Sequence, residues 1–259
     1  MAGKDSIKQT LIVATALCLV CSIVVSTAAV ILKPIQAANK NLDKQARVLA
    51  LVDLLDKNKT IQDQFNRYVE TRVLDLDSGT FTDKIDATGF DQRKLARDPA
   101  TSIALDKNED IADIKRRSRY TVAYLIKKDG ALEYVVLPIH GYGLWSTLYG
   151  FIALHSDMNT VYGITFYEHA ETPGLGGEID NPAWQALWRG KKIFANGDFD
   201  EPELRVIKGH VEPSAADAEH EIDGLAGATL TSRGVSHMIR FWFGENGYLP
   251  FIEKHANRG

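Results

Sequence analysis

The sequence predicts an α+β fold: a single N-terminal transmembrane helix, then an exported domain with a mainly antiparallel sheet packed by helices. Three observations predict it. Leu11 to Leu32 is a run of 22 residues without a charge. Two pairs of strand-like segments follow later, each pair joined by a tight turn rich in Gly, Asp or Asn. Amphipathic stretches with helical spacing flank those strands, and antiparallel strands mixed with helices make an α+β layer structure.

The N-terminal run comes first. About 20 apolar residues span a bilayer as a helix, so residues 11–32 suffice. Lys4 and Lys8 precede the run, and Lys33 and Pro34 follow it. The positive-inside rule then places residues 1–10 in the cytoplasm and residues 33–259 outside, which is the periplasm in a Gram-negative bacterium. A cleaved signal peptide shares the basic start and the small residues Ser26, Thr27 and Ala28. However, the apolar run continues through Val30-Ile31-Leu32, too long for an ordinary signal-peptide core. Cys18 and Cys21 stand one helical turn apart inside the run, where Cys packs as a small apolar residue. They are the only cysteines, so the exported part must be stable without disulfides, and a Cys-rich metal site is excluded.

The chain has 259 residues, 25% charged and 45% hydrophobic, which excludes a disordered or low-complexity protein. Lys4, Lys8 and Lys33 against Asp5 leave residues 1–33 at +2, so the rest carries −6 and the whole chain −4. An acidic exported domain is the wrong partner for nucleic acid, which needs a basic face.

The exported elements follow in order. Lys40 to Lys57 reads as an amphipathic helix with Leu42, Val48, Leu49, Leu51, Val52, Leu54 and Leu55 on its apolar stripe, capped by Asn41 or Asp43. Thr60 to Leu74 reads as a second, polar helix. Residues 76–117 are charged and poorly periodic, as expected for short helices and loops. Thr121 to Ile126 and Leu132 to Ile139 form a hairpin about Lys128-Asp129-Gly130. Leu148 to His155 and Thr160 to Tyr167 form another about Asp157-Met158-Asn159. Leu204 to Lys208 is a fifth strand. The Trp184–Trp188 region and Val235 to Phe243 are helices.

Two glycine-rich segments are candidates for chemistry. Glu171-Thr172-Pro173-Gly174-Leu175-Gly176-Gly177-Glu178 follows a strand. It has neither the Lys of a phosphate-binding P-loop nor the spacing of a dinucleotide loop. It is either a structured turn or a backbone that closely approaches something flat. Asp223-Gly224-Leu225-Ala226-Gly227-Ala228-Thr229-Leu230-Thr231-Ser232 opens onto an apolar helix on which Val235, Met238, Ile239 and Trp242 share a face. The hydroxyls of Thr229, Thr231 and Ser232 can cap that helix or hold phosphate oxygens at its N-terminus. His169 and Glu171 form an H-x-E pair with no third convergent ligand, which argues against a metal site. No G-x-S-x-G nucleophile elbow occurs.

Asp223 to Thr229 resembles the flavinylation motif D-x-x-[ST]-G-A-[ST] of the FMN-binding domain family. The N-terminal span, the E-T-P-G-L-G turn and the late G-A-T-L-T-S segment are, taken together, similar to the C subunits of Na⁺-translocating NADH:quinone oxidoreductases. A homologous subunit of Rnf-type electron-transport complexes shares the domain. The resemblance covers nearly the whole exported chain. It implies FMN joined covalently by a phosphoester to Thr229, transferred from FAD by an exported flavin transferase. It also implies electron relay to other membrane subunits of a sodium-pumping complex. Ala226 departs from the motif at its [ST] position, and Thr231 is the alternative acceptor. Asp223 matches the motif's acidic position, and Gly227, Ala228 and Leu230 flank the acceptor. For the isoalloxazine, a flat apolar pocket is needed. The candidates are Glu171, Thr172, Leu175 and Gly176 of the turn, with Trp145 and Ser146 of Gly141-Tyr142-Gly143-Leu144-Trp145-Ser146. Lys208 is a candidate partner for phosphate or flavin oxygens. A membrane-anchored binding domain without cofactor is the reading left if no flavin is attached, and it predicts a colourless protein.

Overall fold

The computed structural model describes residues 7–128, 130–195 and 199–256. The expected basic tail therefore lies in part outside the described residues, as does Asp129 of the first hairpin turn. The chain divides into two units, residues 1–45 and 46–259.

Helix α1 runs from Ile7 to Leu51, and its apolar part is long enough to cross a membrane. The expected span and the expected helix from Lys40 are one continuous element. Asn41 and Asp43 lie in its interior rather than capping a new start. Pro34 sits inside it, at the loss of one helical hydrogen bond. The helix stops at Leu51, six residues before the expected Lys57, and Asp53 then takes a left-handed conformation with φ 57°.

In the second unit, α2 (Ile61–Tyr68) is capped by Thr60, whose hydroxyl accepts from the Asp63 amide. The helix expected to reach Leu74 ends there. Val69–Asp75 is instead strand β1, buried at Val69, Val73 and Leu74. Its seven residues pair with seven of a later strand, with Val73 opposite Val122. Cross-strand packing outweighs the helix propensity of Glu70 and Arg72. β2 (Thr80–Phe81), α3 (Gln92–Arg97) and the antiparallel pair β3 (Ser102–Ala104) and β4 (Arg116–Ser118) occupy the charged stretch.

The main sheet continues with β5 (Tyr120–Lys128), β6 (Ala131–Tyr142), β7 (Thr147–His155) and β8 (Val161–Glu168), as the two hairpins predict. Its order is β2-β1-β5-β6-β7-β8, with every pair antiparallel. Period-2 alternation sends Ala123, Leu125, Val135, Leu137 and Ile152 to one face, and Ile126, Val136, Phe151 and Ala153 to the other. The first face carries the larger core, with Trp188, Trp242 and Tyr248 fully buried. The second is covered by α2, by Val48 and Leu49 at the end of α1, and by Val52 just beyond it.

After β8 come a 3-10 turn at Gly176–Asp180 and α4 (Pro182–Ala186). The expected fifth strand shrinks to β9 (Arg205–Val206), which pairs in parallel with β10 (Glu221–Ile222) outside the main sheet. Helix α5 (Thr229–Trp242) and α6 (Leu249–His255) complete the chain. α5 lies directly on β6. A Cβ on Gly234 would stand 2.4 Å from the Tyr142 carbonyl oxygen, and one on Gly141 2.9 Å from Met238 Cβ. This close approach sets the first turn of α5 beside the loop that follows β6.

Candidate functional site

The first turn of α5, the 143–146 loop and the 171–177 turn meet at one carboxylate. Glu171 is 5% exposed. Its Oε1 accepts the backbone N–H groups of Leu144, Trp145 and Ser146 at 3.1, 2.9 and 3.3 Å. Its Oε2 accepts the Thr231 hydroxyl at 2.6 Å. Glycine is needed on both sides of it. A Cβ on Gly143 would lie 2.7 Å from Oε1, and one on Gly176 2.7 Å from Oε2 and 2.5 Å from Thr231 Oγ1. Ser146 Oγ accepts from the Ala170 amide at 2.7 Å, a second tie between the loop and the turn. The Thr172 carbonyl closes the turn by accepting from Leu175 and Gly177.

Of the three hydroxyl residues at the start of α5, only Thr229 is exposed to solvent. Thr231 is fully buried and bonded to Glu171. Ser232 is buried, and its Oγ accepts from the Leu225 amide at 3.2 Å. Thr231 is thus a structural tie and not a surface hydroxyl. No side chain caps the helix, whose N-cap residue is the buried Ala228.

Gly227 precedes with φ 71°, a left-handed conformation that suits glycine. A Cβ there would meet Leu175 Cδ2 at 3.0 Å. The two glycine-rich segments, 52 residues apart at this contact, are therefore neighbours. Around them Leu144, Trp145, Leu175 and Leu230 are all exposed, Trp145 at 64%. Large apolar side chains clustered on a surface mark a contact site.

Thr229 also lines a cleft of about 550 Å³. From the sequence candidates this cleft takes Lys208, Gly227, Thr229 and Ser232. Trp145, Ser146, Glu171, Thr172, Leu175 and Gly176 belong instead to the assembly around the Glu171 carboxylate. The cleft adds residues that sequence reasoning missed: Arg205, His210, Arg233 and His237. The signal for two of them was present, since Arg233 and His237 follow Thr229 at i+4 and i+8 on one helix face. Their facing wall is fixed by the Val206 amide donating to Ser236 Oγ at 2.9 Å and by the Gly224 amide donating to the Gly209 carbonyl at 2.8 Å.

Asp223 holds the base of the motif. Its carboxylate accepts the Val211 amide at 2.8 Å and lies 2.7 Å from His210 Nδ1. Its carbonyl accepts the Trp184 indole N–H at 2.8 Å. Burial pushes its pKa up, but the His210 and Val211 bonds outweigh this and hold it below the usual carboxylate value. In the cleft, burial first and the Arg233 charge second keep His237 below its ordinary pKa. His169 is engaged elsewhere, with Nε2 2.8 Å from Asp180 Oδ2 and Nδ1 accepting the Glu171 amide.

An exposed hydroxyl beside cations on one side and apolar side chains on the other is suited to an anionic group that carries a flat apolar body. Comparison with known proteins agrees with that chemistry. Residues 143–244 match the FMN-binding domain family. The chain is similar to the C subunit of the Na(+)-translocating NADH-quinone reductase of Pseudomonas aeruginosa, at 52% identity over 97% of both chains. It is also similar to that of Vibrio vulnificus, at 48% over 100% of this chain and 99% of the relative. Among solved structures, Shewanella oneidensis NqrC superposes with a TM-score of 0.77 and 36% identity, covering 84% of this chain and 98% of that one. The C subunit from Parabacteroides distasonis gives 0.65 and 28%, covering 85% and 96%.

Proposed function

Because the chain belongs to the family of Na(+)-translocating NADH-quinone reductase C subunits, we propose that it relays electrons through FMN joined covalently to Thr229. It is a subunit of an oxidoreductase complex and carries an FMN-binding domain. The observation that carries the finer reading is the exposure of Thr229 beside two engaged hydroxyls, Thr231 and Ser232. A phosphoester needs a reachable hydroxyl, and within this cluster Thr229 is the one at the surface.

The residues fit the group. Thr229 would hold the phosphate, with Lys208 on the facing wall, while Trp145, Leu175 and Leu230 supply the apolar surface a flavin ring requires. Glu171, Ser146, Thr172 and Gly176 hold the loop and the turn that carry those side chains. When bound, FMN supplies reversible electron acceptance and donation, and the protein supplies position and electrostatics. Apolar side chains at the surface leave a ring edge within reach of a partner. The motif loop, held by Asp223 and turned at Gly227, presents Thr229 to an exported transferase that takes FMN from FAD. Ala228 is small and buried beneath that turn, so it leaves approach to Thr229 open.

Residues 11–32 cross the membrane, residues 1–10 stay in the cytoplasm, and residues 33–259 work in the periplasm. Other membrane subunits complete the complex. They also carry the sodium path, because a single span without a charged residue offers none.

Denaturing electrophoresis of native membranes, viewed under ultraviolet light, tests the reading. The wild-type chain should give a fluorescent flavin band at its own mass. Thr229→Ala should give a dark band at unchanged abundance and unchanged circular dichroism, since that side chain is exposed. A fluorescent Thr229→Ala band would overturn the acceptor assignment.

A further inference from the structure

Neither Lys208 nor Arg233 has an ionic partner among the described residues, although both line the cleft that contains Thr229. Arg205, on the same wall as Lys208, is already committed to Asp217 and Glu221 at 3.1 and 2.5 Å. Arg233 stands one turn below Thr229 on the same face of α5, and Lys208 faces it from the β9 segment. The wall bearing Lys208 is rigidly tied. Gly224 donates to Gly209, Ser236 accepts from Val206, and Asp223 binds His210 and Val211. A chain of net charge −4 has many carboxylates with which two cations can pair, yet among the described residues these two line one cleft with no ionic partner. Among the residues that line it, no acidic side chain occurs.

Resting on the reading that Thr229 is the acceptor, we propose that Arg233 and Lys208 form a phosphoryl-anion subsite. The two cations take the unesterified oxygens of the phosphate joined to Thr229, Arg233 from its own helix face and Lys208 from the opposite wall. The charged end of the cofactor then turns into the cleft. Its flat end is thereby sent to the side of Trp145 and Leu175, which meets the cleft where Leu175 lies against Gly227. Arg233 is a positioning residue in this assignment. It lies outside both glycine-rich segments, and its side chain is exposed.

Phosphorus-31 NMR of the flavinylated full-length chain in detergent tests it, with wild type, Arg233→Gln, Lys208→Gln and the charge-preserving Arg233→Lys. The wild-type diester resonance should be displaced from that of a small phosphodiester in the same buffer. Each neutral variant should move it back toward the free value, and Arg233→Lys should retain most of the displacement. The rate of flavin attachment should fall roughly two- to fivefold for each neutral variant, as expected for an exposed charge contact, with the gap closing as salt is raised. A resonance that is the same in all four proteins overturns the subsite. If Arg233→Gln takes up no flavin, uptake by Arg233→Lys supports the subsite and failure of Arg233→Lys overturns it; Lys208→Arg serves in the same way for Lys208→Gln. Peptide mapping separates the two readings. Flavin found away from Thr229 sinks the acceptor and the subsite together, whereas flavin on Thr229 with an indifferent resonance sinks the subsite alone.

Discussion

Glu171 shows how one side chain organises a site without facing outward. A buried carboxylate is costly unless each oxygen is matched by donors. Here three backbone N–H groups and one hydroxyl supply them. The result joins the loop after β6, the turn after β8 and the first turn of α5 in one network, which isolated pairwise bonds would not do. Replacing Glu171 with Ala should leave those four donors without an acceptor and cost about 3 kcal/mol or more. For a domain of this size that lowers the melting temperature by roughly 6–12 °C. Glu171→Gln keeps Oε1 as the acceptor for the loop but must reverse the Thr231 bond, and should cost about 1 kcal/mol. Thermal unfolding of both variants beside wild type checks the order. Equal stability of all three would mean that the carboxylate does not hold the loop. The residue itself was legible in the sequence as part of a turn near the site. Its part in the network was not, because the donors come from 25 to 60 residues away.

At the scale of elements, legibility followed locality. The hairpins of β5–β6 and β7–β8 were readable because their alternation is local and their turns carry Gly130 or Asp157-Met158-Asn159. Strand β1 was hidden because Glu-Thr-Arg at its centre looks like a helix surface, and only pairing with β5 makes Val69–Asp75 extended. β9 was overextended because Leu204 is buried in the core without joining the ladder. The motif at the head of α5 was visible for the same local reason, whereas Arg233 and His237 acquire meaning only when β9 packs opposite them. Gly234 is a sharp test of how α5 is placed. In an exposed helix Gly→Ala stabilises by about 1 kcal/mol. Here the new Cβ would stand 2.4 Å from a backbone oxygen of β6, and neither helix nor strand can yield cheaply. Gly234→Ala should therefore destabilise by about 2 kcal/mol despite its better propensity. It should also disturb whatever occupies the surface around Trp145, since Tyr142 leads into that loop. A stabilised variant would mean that α5 stands farther from the sheet.

For the whole molecule, the boundary that matters for stability falls inside a helix and not at its end. The sequence suggests dividing the chain after residue 32, where the uncharged run stops. The structure groups residues 46–259 as one unit, and α1 continues across that point to Leu51. Val48, Leu49 and Val52 are buried against the sheet, and the Arg47 guanidinium donates to the Phe166 carbonyl at 2.8 Å. Just beyond, Asp53 accepts the Tyr162 hydroxyl at 2.5 Å and the Arg189 guanidinium at 3.0 Å. The last two turns of the helix thus cover one face of the sheet. Two truncations separate the roles. A chain of residues 46–259 keeps both clusters and should be soluble, with a stability within about 1 kcal/mol of the full-length chain in the same detergent. A chain of residues 54–259 loses three large buried side chains at about 2 kcal/mol or more each. It also leaves the apolar side of Phe151 and Ala153 open to water. Its melting temperature should fall by more than about 10 °C, and it should bind dyes that report exposed apolar surface. Equal stability of the two truncations would show that the end of α1 is only a tether. The larger fall expected here makes it a wall of the core.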